Sequence, residues 1–103
     1  DAIRVDYACG AVENEVLKHS DSELVVVEGQ GSLVHPGSTS NLPLLRGTMP
    51  THIVLCHRMG QTHLMRVENV AIPPLTDLIR LYEAVATCCG SFPAAKVVGI
   101  ALN

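Results

Sequence analysis

Tryptophan is absent, and two tyrosines and one phenylalanine are the whole aromatic content of this 103-residue chain. A core must then be assembled from Val, Leu, Ile and Ala, the usual filling of a parallel sheet covered by helices. No apolar run approaches about 18 residues, so no membrane helix is expected, and no signal peptide stands at the start. The cysteines Cys9, Cys56, Cys88 and Cys89 show no CxxC spacing, and an adjacent pair rarely suits a structural disulfide. Four reduced thiols of a cytoplasmic protein are the plain reading. Basic clusters are missing and the net charge is −3, which argues against charge-driven nucleic-acid binding. The phosphate-binding pattern GxxxxGK[ST] occurs nowhere.

What is present is a core-forming composition, with 48% hydrophobic and 17% charged residues, enough for one small domain. The most informative segment is Leu24-Val25-Val26-Val27-Glu28-Gly29-Gln30-Gly31-Ser32. Four apolar residues, three of them β-branched, predict a fully buried strand. An acid follows at once, and then two glycines in three residues. Open α/β sheets place ligands at such a carboxyl edge. Glu28 is therefore expected to hold Mg2+, directly or through water, beside a polyphosphate. Gly29 and Gly31 permit the close backbone approach that a phosphate requires. A solvated, idle Glu28 at a strand end is the plain alternative.

Residues Val5, Ala8, Cys9, Val12 and Val16 fall at helical spacing, predicting a helix from the start of the chain to about His19. Gly10 weakens it by up to ~1 kcal/mol relative to Ala and marks a point of close packing. A strand over 24–28 follows, then a loop rich in Gly, Ser and Pro from Gly29 to Ser40. A short helix is expected over 42–46 with Gly47 as its stop. A second strand spans 52–56, and a polar loop runs from His57 through Glu68. After Pro73-Pro74, an apolar stripe of Leu75, Leu78, Ile79, Tyr82, Val85, Ala86 and Cys89 predicts a helix ended by Gly90, with Asp77, Arg80 and Glu83 facing away. A third strand covers about 96–101. Apolar strands separated by helical crossovers imply an α/β fold, three-layered, with a mainly parallel sheet flanked by helices.

The segment Cys56-His57-Arg58-Met59-Gly60-Gln61-Thr62-His63 leaves the second strand at the same carboxyl edge. Arg58 is suited to clamp a carboxylate or phosphate in bidentate fashion. His57 or His63 can serve as general acid or base. Zinc held by Cys56, His57 and His63 would lack any recognised ligand spacing. A solvated loop is the plain alternative. His35, beside Pro36, either contacts substrate or is hydrogen-bonded at the surface. Asn103 ends the third strand, where an amide can pair with a nucleobase. Asp6 reads as an N-cap or as a second acid near a metal. Cys89 belongs to an apolar stripe and reads as packing.

Taken together, VEGQGSLVHPG, LLRGTMP, VLCHRMGQTH, IPPLTDLIRLYEA and AKVVGIALN resemble the C-terminal domain of a bacterial and archaeal family. That family was long known as a domain of unknown function and is associated with D-glutamate N-acetyltransferases. The resemblance covers nearly the whole chain. Its domain is similar to the dethiobiotin-synthetase-like branch of P-loop folds, where VEGxGG carries a metal-binding glutamate and an Asn after the last strand reads the base. The resemblance thus implies roles for Glu28 and Asn103. It also places the first strand and the Walker A-type loop upstream of Asp1, so residues 1–103 are expected to be part of a P-loop NTPase-like α/β domain. Gln30 and Ser32 stand where dethiobiotin synthetase has Ala and Gly.

Three functions are open at this point. The first is N-acetyl transfer to a small D-amino acid such as D-glutamate, with acetyl-CoA as donor. In it Glu28, Gly29, Gln30, Gly31, Ser32 and Asn103 form the cofactor side. Arg58 holds the substrate carboxylate, and His57, His63 or His35 moves the amine proton. The second is an ATP- and Mg2+-dependent ligase or NTPase working at the same edge. The third is a non-catalytic binding module. The expected partner is a small carboxylate or amino acid, with no nucleic acid and no membrane, in a homo-oligomer.

Overall fold

The computed structural model describes residues 4–103. They fall into two compact units, Asp1–Met49 and Pro50–Asn103. The helix expected to open at Asp1 lies, in its first three residues, outside the described part.

In the first unit a 3-10 turn, Val5–Tyr7, leads into α1, Ala8–Leu17. The helical spacing of the sequence is realised, with Val12 and Val16 half-buried. On the exposed side Lys18 Nζ lies 2.6 Å from Glu15 Oε2 and holds that carboxyl below its ordinary pKa. Such an exposed pair adds little stability. The second helix, α2, runs Asn41–Thr48, longer than expected. Gly47 does not stop it. The helix ends on Met49, whose left-handed φ of 47° lets its N–H reach the Leu45 carbonyl at 3.2 Å. Gly47 instead packs against α1: a Cβ there would stand 2.5 Å from the Cys9 carbonyl oxygen. Close packing is thus found at Gly47 and not at Gly10, where an added Cβ would meet nothing within 4 Å.

The strand expected over Leu24–Glu28 does not form. Leu24 and Val26 are 79% and 83% exposed, Val25 and Val27 39% and 38%. This two-residue alternation follows the pattern of a strand, but a strand exists only through a hydrogen-bonding neighbour. Among the described residues, no ladder includes this segment.

In the second unit β1, His52–His57, pairs in parallel with β4, Lys96–Leu102, from His52↔Lys96 to His57↔Leu102, with a register shift between Ile53 and Val54. The connection carries α3, Leu75–Thr87, which buries Leu78, Tyr82 and Ala86 at i, i+4 and i+8. Leu55 of β1 and Ala95 before β4 are buried as well. The result is a small α/β arrangement with a parallel sheet and flanking helix, as the sequence predicts. Two details differ. Glu83 does not face away: its Oε1 accepts the Val97 backbone N–H at 3.0 Å, and Oε2 lies 3.7 Å from Lys96 Nζ. The polar stretch 57–68 holds a hairpin, β2 His63–Leu64 against β3 Val67–Ala71, turned by Met65-Arg66. That turn lacks the Asn-Gly or Asp-Gly signature of tight hairpins, and Arg66 itself takes a φ of 65°.

Cys89 is exposed rather than packed in the helical stripe. It belongs to a turn, Cys88–Gly90, in which Cys88, Cys89 and Gly90 have φ of 46°, 55° and 104°. The first two conformations disfavour any side chain by about 1–2 kcal/mol each. Cys88→Gly is therefore expected to stabilise the end of α3 by about 1 kcal/mol. Slower amide exchange in its last turn would show this; faster exchange would mean that the Cys88 thiol, 3.8 Å from the Val85 carbonyl, contributes more than the strain costs.

Candidate functional site

The residues singled out in the sequence form two groups, one in each compact unit, and each group is described within its own unit. The first is the loop from Glu28 to Asn41. Glu28 is exposed, as is every residue from Asp21 to Gln30. Beyond it the loop is closely organised. Gly31, with φ of 80°, sits so near Ser38 that an added Cβ would overlap the Ser38 hydroxyl. Glycine is required there by both conformation and space. The Gln30 carbonyl accepts from Asn41 Nδ2 at 3.1 Å and from Ser40 Oγ at 3.3 Å. Asn41 is buried, and this bond satisfies one of its amide hydrogens. The Ser32 amide donates to Ser38 Oγ at 3.3 Å, the Val34 amide to Ser32 Oγ at 3.3 Å, and the Gly37 amide to His35 Nδ1 at 3.0 Å. The His35 amide reaches the Ser32 carbonyl at 3.1 Å, and the Ser38 amide the His35 carbonyl at 3.0 Å. A loop read only as flexible Gly, Ser and Pro is thus held by its own polar groups.

The second group lies at the carboxyl end of the parallel pair. Asn103 extends the ladder past its last pair: its N–H donates to the His57 carbonyl at 3.0 Å, and its own carbonyl accepts from the Met59 amide at 3.0 Å. Asn103 and the loop after β1, distant in sequence, are brought to one edge. An open cleft of about 420 Å3 borders this loop, lined among others by Arg58, Gln61, Thr62, His63, Met65 and Glu68. Among the described residues, Arg58 makes one polar side-chain contact there, from its guanidinium to Met65 Sδ at 3.2 Å. A thioether is a weak, uncharged acceptor. Among the described residues, no carboxylate lies within ion-pair distance of Arg58. His63 is exposed, and its Nδ1 lies 3.0 Å from Thr62 Oγ1, a contact that orients the ring. Gln61 Nε2 donates to the His63 carbonyl at 2.8 Å. His57 does not line the cleft.

Met65 and Glu68 were invisible to sequence reasoning because only the hairpin brings them to the cleft that Arg58 lines. Gln61 and Thr62 lay inside the segment already noted. Among the described residues, no three of His, Cys, Asp or Glu are grouped to hold a metal ion. Cys56, His57 and His63 are thus not drawn into a zinc site. Glu28 offers one carboxylate, and Mg2+ bound by protein usually takes one or two together with phosphate and water. The described residues do not complete a metal site by themselves, and no chemical step is derived through one.

Parallel strands joined through a helix, with polar loops at their carboxyl edge, define a small α/β domain. The chain belongs to the family described as "Domain of unknown function (DUF1611_C) P-loop domain", whose sequence pattern matches residues 1–103. Among solved structures it is similar to a DUF1611 family protein from Anabaena variabilis, with 56% identity and a TM-score of 0.95 over 100% of this chain and 30% of that one. Two curated relatives named D-glutamate N-acetyltransferase match all of it. The one from Pseudoalteromonas sp is 33% identical and the one from Tritonibacter scottomollicae 30%. The chain spans 31% of the length of each. Among the described residues, no helix is long and apolar enough to cross a membrane.

Proposed function

We propose that this chain forms part of an enzyme that transfers the acetyl group of acetyl-CoA to the amine of a small D-amino acid, D-glutamate being the first to test. The observation that carries this reading is the cleft: a guanidinium whose one polar contact among the described residues is a thioether is found with an exposed, oriented imidazole in its lining. Arg58 is suited to hold a substrate carboxylate through two parallel N–H bonds. His63 takes the proton that the ammonium must lose before its nitrogen can attack. The nitrogen then bonds to the thioester carbonyl carbon and sheds its second proton, the carbon–sulfur bond breaks, and the coenzyme A thiolate leaves and takes up a proton in its turn. Within its own unit, the loop Glu28, Gly29, Gln30, Gly31 and Ser32 is offered for the cofactor. The names of the two relatives support the reaction class.

The test uses the protein at its full length with acetyl-CoA and D-glutamate, followed by mass spectrometry and free-thiol release. N-acetylated product formed together with stoichiometric thiol is expected. Consumption of ATP with no acetylated product would overturn this reading and favour a ligase or NTPase.

A further inference from the structure

The cleft at the carboxyl end of the parallel pair carries two fixed charges of opposite sign, Arg58 and Glu68. They reach it from different elements, Arg58 from the loop after β1 and Glu68 from the second position of β3. Neither charge is spent on the other. None of the ion pairs among the described residues includes Arg58 or Glu68. The Arg58 guanidinium meets Met65 Sδ, an uncharged acceptor that leaves its positive charge uncompensated. Glu68 is exposed, and its carboxylate has no hydrogen-bond or ion-pair partner among the described residues. The neutral polar groups of the lining are engaged already. Thr62 Oγ1 lies 3.0 Å from His63 Nδ1, and Gln61 Nε2 donates to the His63 carbonyl at 2.8 Å. One cation and one anion are what the cleft has left to offer.

We infer that the cleft is a site for a zwitterion, in which Arg58 takes the carboxylate of an α-amino acid and Glu68 takes its ammonium. The chemistry that follows binding rests on the acetyl-transfer reading. Within that reading Glu68 is a binding residue that acts before the reaction. An ammonium has no lone pair and cannot attack, so the contact ends once His63 takes the proton. Acetylation then leaves a neutral amide nitrogen, which no longer attracts a carboxylate. Glu68 thereby favours the amine that enters over the amide that leaves. A simple dicarboxylate engages Arg58 but meets repulsion at Glu68.

The experiment titrates the full-length protein by calorimetry, with and without coenzyme A. The probes are D-glutamate, N-acetyl-D-glutamate and glutarate, which has the same two carboxylates and no nitrogen. The natural protein is expected to hold D-glutamate about tenfold or more tighter than either of the others. Glu68→Gln removes the charge at an exposed position and keeps the size. It is expected to weaken D-glutamate by about tenfold and neither of the other two, so that the preference falls to within about threefold. Because the cleft is open, added salt should shrink the preference of the natural protein and leave that of the variant in place.

Equal weakening of all three probes by Glu68→Gln, D-glutamate binding unchanged in that variant, or glutarate held as tightly as D-glutamate by the natural protein would overturn the inference. Acetylated product formed by Glu68→Gln at an unchanged KM would remove Glu68 from the site and leave acetyl transfer standing. Binding of D-glutamate that depends on Glu68, with no acetylated product, would keep the zwitterion site and remove acetyl transfer. If neither D-glutamate nor D-alanine binds, both fall.

Discussion

Gly47→Ala is expected to loosen the first compact unit, against the ordinary preference of helices for alanine. In an open helical position that exchange gains up to ~1 kcal/mol. At Gly47 the new Cβ would meet the Cys9 carbonyl at 2.5 Å, Val12 Cβ at 2.7 Å and Val12 Cγ1 at 3.0 Å. The nearest of these is backbone and cannot rotate away, so α1 and α2 must separate. Overpacking of this kind costs about 1–3 kcal/mol. The unit has little reserve, since Asn41 is its one buried residue among the described residues. Native-state hydrogen exchange of α1 and α2 amides should accelerate by roughly 5- to 150-fold, the equivalent of that range. Gly10→Ala, in the same helix pair but with open space around the site, should slow it. If both substitutions slow exchange, the helices are not in contact at Gly47.

If the acetyl-transfer proposal holds, His63→Ala is expected to lower the turnover of the full-length protein by about 10²–10⁴-fold, the usual contribution of a positioned proton acceptor. The substrate's apparent affinity should change far less, because Arg58 remains to hold the carboxylate. His57→Ala serves as the contrast. That residue ends β1, its carbonyl is bound to the Asn103 amide, and its side chain does not line the cleft. A loss of less than about tenfold is expected there. Steady-state rates with D-glutamate and acetyl-CoA decide the matter. Equal losses at the two positions, or a tenfold or smaller loss at His63, would remove the imidazole from the proposed mechanism.

Much of the polar lining of the cleft was legible in advance. Arg58, His63 and their neighbours lie within eight residues, and β1 was readable from its apolar centre, so the loop's place at a carboxyl edge followed. The hairpin that closes the cleft was not legible. Its strands are two and five residues long, and its turn is carried by Met65-Arg66. Neither residue signals the positive φ that Arg66 adopts. In the loop after Glu28 the glycines were read as room for a phosphate. Gly31 makes room for Ser38. A glycine's sequence neighbours do not say which atoms will come close to it.

The sequence by itself determined the helices, the strands β1 and β4 and the aliphatic core, because 3.6- and 2-residue periodicities are local properties of side-chain direction. It determined the polar inventory of both loops as well. Tertiary structure alone decided what depends on partners far along the chain. The apolar run at Leu24–Val27 has the composition of a buried strand, yet it is exposed because no ladder takes it up among the described residues. Glu83 lies on the polar side of its helix by spacing, yet it is drawn to the Val97 amide next to the register shift in the parallel pair. Periodicity tells a residue which way to face; only the fold supplies what it will meet there.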